Sequence, residues 1–282
     1  KGFYLFVATA FDFFGNFVLS PIFLTILIIA ISSIFFSKIV NNFDCPNNYK
    51  IFILYFYCLN PELNAWSSFF VLRDSIITAL TVFFIYSLFY FINNRNIPYL
   101  LSLIASLILL SSFRYHLGII MFALTGLILF ILLESKKTKF LIFTTLMALL
   151  FFKINELILV TSFLISKLNL LGPFKMLLSP LPSFLSTFNS GYSFLYPGMF
   201  INYLLVFFIP LGIYGSFRYN KKIGYILILI FCSIIFTIGM FDNVAGPRQR
   251  LNLLVPLIIF QSFGIMLFFN FLKNFLKHNN LK

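Results

Sequence analysis

Apolar runs of about 18 residues or more recur along the whole length of this chain, each long enough to carry a helix across roughly 30 Å of hydrocarbon. Apolar stretches occupy 1–11, 17–37, 49–59, 75–92, 98–113, 117–133, 140–170, 199–217, 223–241 and 251–272. A chain that is 61% hydrophobic, only 10% charged and has a mean hydropathy of +1.02 is too apolar for a water-soluble core. Strands of a membrane barrel would alternate polar and apolar residues, and these runs do not. The pattern predicts an all-α, polytopic transmembrane helical bundle of about nine or ten spans, forming a single domain over 1–282. The run 49–59 is short before Asn60-Pro61, and 140–170 is interrupted by Lys153, Asn155 and Glu156, so the latter reads as one span followed by an interfacial helix. Because the sequence opens on Lys1 and enters an apolar run at once, the natural chain is expected to begin upstream.

The formal charge of +13 would suggest nucleic acid as a partner in a soluble protein. Here it sits in short connectors between apolar runs, where lipid orientation explains it better and no nucleic-acid partner is expected. The most basic connectors hold Lys136, Lys137 and Lys139, then Arg218, Lys221 and Lys222, then the tail with Lys273, Lys277 and Lys282. These three are expected to be cytoplasmic, the C-terminus included. Alternation then places Lys38, Lys50 and Arg95 on the same side. Asp12, Arg73, Asp74, Arg114, His116, Arg248 and Arg250 fall on the other, with outer connectors at 60–74 and 172–198. Four of the six arginines therefore gather opposite the lysines, where bulk positive charge has no general reason to be, and an anionic ligand would supply one.

Cys45, Cys58 and Cys232 have neither metal-site spacing nor a disulfide pattern and read as small apolar residues, so no metal and no cofactor are expected. No metalloprotease, nucleophile-elbow, Walker or dinucleotide fingerprint occurs, which removes support for nucleotide-driven chemistry and serine hydrolysis.

The candidate site residues lie in the outer connectors. In the 60–74 connector, Trp66, Phe69, Phe70 and Arg73 have the spacing of one helix face. Such a face would set a sugar-stacking ring beside a cation, or serve as an interfacial anchor. In Ser111-Ser-Phe-Arg-Tyr-His116, the break between two apolar runs carries Arg114, Tyr115 and His116. A guanidinium offers a fork for phosphate oxygens, and a histidine of ordinary pKa near 6.5 suits a general base or a diphosphate hydrogen bond. A histidine at a helix end is the plainer alternative. Gly246-Pro-Arg-Gln-Arg250 places Arg248 and Arg250 at the entrance of the last long run, where a helix start also favours anions. Among the acids, Asp12 and Glu62 are candidates for a base that activates a hydroxyl. Asp74, next to Arg73, reads as a neutralising partner.

In their order along the chain, Asn60 to Asp74, Phe113 to His116, the Pro180-Leu-Pro182 loop and Arg248 to Pro256 resemble the corresponding stretches of bacterial O-antigen (Wzy-type) and exopolysaccharide polymerases. More loosely the chain resembles the multispan glycosyltransferases of the GT-C group. The resemblance implies transfer of lipid-diphosphate-linked glycan at the non-cytoplasmic face of a bacterial inner membrane. Arg73, Arg114, Arg248 and Arg250 would hold an undecaprenyl diphosphate, with Trp66 and Tyr115 beside the substrate. His116, Glu62 or Asp12 would act as base, and a Phe-lined groove would take the prenyl tail. It implies membrane lipids and polysaccharide-assembly proteins as partners and no cofactor. The rival expectation is a transporter or flippase of a lipid-linked or other anionic substrate, which would need polar groups near the membrane midplane, Lys153 and Glu156 being the candidates.

Overall fold

The protein is described from a computed structural model at residues 2–17, 19–68, 73–132, 172–177, 196–239 and 251–279, and the side chains of Trp66 and Arg73 lie outside the described part. Of the described residues 91% are helical and none is in a strand, so the all-α expectation holds. Among the described residues twelve α-helices follow one another: α1 (Gly2–Phe14), α2 (Ser20–Asn41), α3 (Asn47–Cys58), α4 (Pro61–Ser68), α5 (Arg73–Asn94), α6 (Ile97–Phe113), α7 (Tyr115–Leu132), α8 (Gly172–Leu177), α9 (Tyr196–Val206), α10 (Ile209–Tyr219), α11 (Lys221–Ile234) and α12 (Leu254–Asn279). A π-helical turn, Ile235–Gly239, extends α11, and a 3-10 turn, Leu251–Leu253, leads into α12.

Among the described residues five helices are long and apolar enough to cross a membrane, or six if the bent pair α9 and α10 counts as one span. The chain is a helical membrane protein. The expected span at 140–170 lies outside the described residues, as do Lys153 and Glu156.

Local sequence sets most of the helix ends. Proline stands in the first turn of α2, α6 and α10, where its missing N–H is not needed. Pro210 leaves the Val206 carbonyl without its usual donor, and the chain bends by 63° between Phe200–Val206 and Ile209–Tyr219. Asn60 caps α4 by accepting from Leu63 N–H at 3.0 Å, with Pro61 in the first helical position. Asn220 ends α10 and caps α11, accepting from Ile223 N–H at 3.1 Å.

Two helices form the centre: 78% of the spanning window is buried in α5 and in α12, against 22% in α2 and 33% in α7, which therefore face lipid. Helices α10 and α12 cross at glycine contacts, because a Cβ at Gly212 would stand 1.6 Å from the Phe260 carbonyl oxygen and one at Gly264 2.1 Å from that of Phe208.

The bundle has two chemically different ends. At one, Asn220 Nδ2 donates to the Asn42 carbonyl at 2.8 Å, Lys222 Nζ to Asn93 Oδ1 at 3.0 Å, and Asp44 N–H to the Tyr219 carbonyl at 3.0 Å. Asn270 hydrogen-bonds Tyr49 there as well. The elements carrying Lys38, Lys50, Arg95, Arg218, Lys221, Lys222, Lys273 and Lys277 thus share this end. The opposite end is built from the start of α5, the α6–α7 junction and the 3-10 turn at Leu251.

Helix α3 spans only about 18 Å at 1.5 Å per residue, too little to reach from one end to the other. Starting at the lysine end, it stops beside α2, where Tyr57 stacks on Phe36 at 4.2 Å and shares a 2.7 Å hydrogen bond with Ser32. The chain then turns into α4 within the bundle: Asn60, Glu62, Leu63 and Ser67 are all buried. The side chains of Trp66, Phe69, Phe70 and Arg73, which would form the expected helix face, lie outside the described residues.

Candidate functional site

Arg114 is the whole of the break between α6 and α7. Its backbone is extended (φ −147°, ψ 95°), and beyond it the chain doubles back so closely that a Cβ at Gly118 would stand 2.6 Å from the Ser111 Cα. The reversal drives the arginine inward. Arg114 Nη2 meets Asp74 Oδ1 at 2.9 Å, with exposures of 8% and 0%. Local fields favour each partner: the carboxylate lies in the first turn of α5 and the guanidinium at the C-terminal end of α6, so each faces the helix pole of opposite sign. The structure brings Arg114 to Asp74 across 40 residues of chain, while the side chain of Arg73, the sequence neighbour expected to pair with Asp74, lies outside the described residues.

One turn further along α5, Thr78 Oγ1 donates to the Leu251 carbonyl at 3.1 Å and to its own Asp74 carbonyl at 3.2 Å. The turn that follows Arg250 in sequence is thereby fixed beside the Arg114–Asp74 pair. Two further polar side chains occur here: Ser75 is fully buried and Asn252 is 1% exposed. Among the described residues, neither the Ser75 hydroxyl nor either end of the Asn252 amide has a hydrogen-bond partner.

An apolar cavity of about 670 Å³ abuts the same corner, between α1, α2, α5 and α6. Ile76 and Phe113, sequence neighbours of the pair, line it together with Phe6, Leu24, Leu80 and Leu109. Its wall is mainly Leu and Ile, with Phe6 and Phe113 as its aromatic members.

A second polar group lies deeper in the bundle. Gln261 Nε2 donates to Asn202 Oδ1 at 2.9 Å, and Asn202 Nδ2 to the Leu177 carbonyl at 3.0 Å. Asn60, Glu62, Asn202 and Gln261 line one small cavity with Phe56 and Leu254. Glu62 is only 6% exposed. An ionisable side chain buried among transmembrane helices costs stability, and such residues mark functional positions. Since Leu254 borders this cavity and Leu251 the upper corner, the two polar groups adjoin successive turns at the head of α12.

The other expected site residues are placed differently. Tyr115 is 72% exposed and His116 is exposed, both on the outside of the turn that buries Arg114. Asp12 is exposed ten residues from Gly2, the end of α1 that packs on Ser112, so about 15 Å of helix separates it from that contact. Arg248 and Arg250 lie outside the described residues, as do the side chains of Trp66 and Arg73. Among the described residues no group of three or more His, Cys, Asp or Glu could hold a metal ion. Sequence reasoning missed Ser75, Asn202, Asn252 and Gln261. Their signal was a polar residue inside an otherwise apolar run, as in Leu251-Asn-Leu-Leu and Ile259-Phe-Gln-Ser. No protein-family model, curated protein or solved structure matches the chain.

Proposed function

We propose that the protein is a membrane glycosyltransferase, of the kind that polymerises or transfers lipid-diphosphate-linked glycan, working at the non-cytoplasmic face of a bacterial inner membrane. One observation carries the reading: a buried arginine, oriented by an aspartate, stands beside an apolar cavity large enough for a lipid chain. An amphiphile with an anionic head and a hydrocarbon tail matches that pairing. Arg114 would bind the carrier diphosphate together with Arg73, Arg248 and Arg250, stabilising the charge that grows on the leaving group. The acceptor hydroxyl oxygen attacks the anomeric carbon, the bond from that carbon to the diphosphate oxygen breaks, and the hydroxyl proton passes to a carboxylate. Glu62 suits that role better than His116 or Asp12, because it alone of the three is buried within the bundle.

The test is turnover of undecaprenyl-diphosphate glycan by the purified full-length protein, wild type against Arg114→Lys and Arg248→Lys. Lysine keeps the charge and loses the planar fork, so both variants should lose about a hundredfold in rate. Full activity in both would refute the assignment. A specific observation also favours the rival transporter reading: buried Glu62, Asn202 and Gln261 flank the 63° break between α9 and α10, and interrupted helices with polar groups recur at transport sites. Movement of the intact lipid between liposome leaflets without product formation would establish that reading instead.

A further inference from the structure

We infer that Asn252 and Ser75 form the sugar-recognising part of the site, a proposal that rests on the reading of a lipid-linked glycan substrate given above. Both side chains are buried, at 1% and 0% exposure, and among the described residues neither has a hydrogen-bond partner. Inside a membrane bundle a carboxamide in that condition destabilises the fold on both its donor and its acceptor side. Leucine, of similar volume, flanks position 252 on both sides and would meet no such cost there.

Position identifies what an amide does at this point. The Leu251–Leu253 turn packs along α5, where Thr78 holds the Leu251 carbonyl at 3.1 Å, and Ser75 adjoins Asp74 in the chain. The unpartnered groups therefore lie on the segments that hold the Arg114–Asp74 pair. A carboxamide and a hydroxyl without partners suit a ligand group that both donates and accepts. An isolated phosphate only accepts. Sugar hydroxyls have the required dual character, and a carboxamide can engage a vicinal pair of them with two parallel hydrogen bonds. The diphosphate then falls to Arg114, and the first sugar to Asn252 and Ser75.

The experiment measures binding of two probes to the full-length protein: undecaprenyl diphosphate, and undecaprenyl diphosphate carrying one N-acetylglucosamine. Wild type should bind the sugar-bearing lipid at least about tenfold more tightly, since a site built to pair polar groups discriminates against a ligand that lacks them. Asn252→Leu should remove that preference, leave affinity for the bare lipid unchanged, and melt no lower than wild type without ligand. Ser75→Ala should fold normally and reduce the preference at least about threefold. A preference retained in both variants, equal binding of the two probes by wild type, or loss of folding in Asn252→Leu would each overturn the sugar assignment while leaving the amphiphile reading intact. Failure of wild type to bind either probe would overturn both.

Discussion

The ion pair between Arg114 and Asp74 lends itself to a double-mutant cycle. With side-chain exposures of 8% and 0% and a 2.9 Å contact, it belongs with buried pairs, for which removing one partner strands the other charge. Asp74→Leu and Arg114→Leu should therefore each cost about 3–5 kcal/mol, two to three and a half orders of magnitude in the folding equilibrium. Replacing both, as Asp74→Leu with Arg114→Leu, leaves neither charge of the pair stranded. Because apolar side chains of similar size often substitute for a buried pair without loss, the double variant should stay within about 2 kcal/mol of wild type. Additive single effects would instead sum to about 6–10 kcal/mol. Stability would be followed by steric trapping or by titration with a denaturing detergent. A double variant as unstable as that sum would refute the reasoning, because it would mean that the two residues stabilise the fold separately. On the proposed function, a stable double variant that no longer turns over the lipid-linked glycan is the expected outcome, and it would separate a role of the charges in that activity from one in the fold.

Two further outcomes follow from packing and from thiol chemistry. Gly212→Ala should lower the stability sharply, by at least the ~1–3 kcal/mol of overpacking and visible as a fall in melting temperature, since its Cβ would meet the Phe260 carbonyl oxygen at 1.6 Å. Gly224→Ala, where the nearest atom is the Phe217 ring at 3.1 Å, should change it little, and equal effects would refute the close crossing of α10 and α12. In a Cys58→Ala, Cys232→Ala background, buried Cys45 should react with N-ethylmaleimide at least about tenfold more slowly in the folded protein than in the unfolded one, as counted by intact mass. Burial pushes the Cys45 thiol above its ordinary value, so at a given pH less of it is thiolate; its labelling should accelerate as pH rises, and equal rates at pH 8 would contradict its burial.

The features legible in the sequence were those set by one segment at a time. Apolar length announced the helices, proline and asparagine their ends, and the Ser111–His116 break the reversal at Arg114. The grouping of the lysine-bearing ends was also legible, because alternation of spans is simple counting. Contacts between segments were not. Asp74 had a cation beside it in the chain, and nothing local said that the α6–α7 turn would deliver a different one. Asn202 and Gln261 lie 59 positions apart and meet only because α9 and α10 bend against α12. Abundant phenylalanine gave little guidance either, since Phe207 is 81% exposed while Phe260 is fully buried, and composition does not distinguish a lipid-facing ring from a core one.

How the polar side chains are satisfied separates scaffold from site. On the lipid-facing helices several fold back on their own backbone: Thr25 donates to the Pro21 carbonyl at 2.8 Å and Thr125 to that of Met121 at 2.7 Å. Such bonds ask nothing of neighbouring helices and are compatible with lipid on every side. Those on the segments that enter the central helices behave otherwise. Asp74, Thr78 and Gln261 reach across to Arg114, Leu251 and Asn202, and Ser75, Asn252 and Ser262 have no partner among the described residues. A bundle selected for stability alone would have filled positions 75, 252 and 262 with alanine or leucine, because hydrocarbon offers an unpaired amide or hydroxyl no compensation. All three lie on α5 or on the turn and helix at its side, together with the one buried Arg–Asp pair among the described residues. Two of the three, Ser75 and Asn252, lie on the segments that hold this pair, while Ser262 lies deeper beside Gln261, and it is the coincidence of the first two with a buried ion pair that makes them evidence of a site.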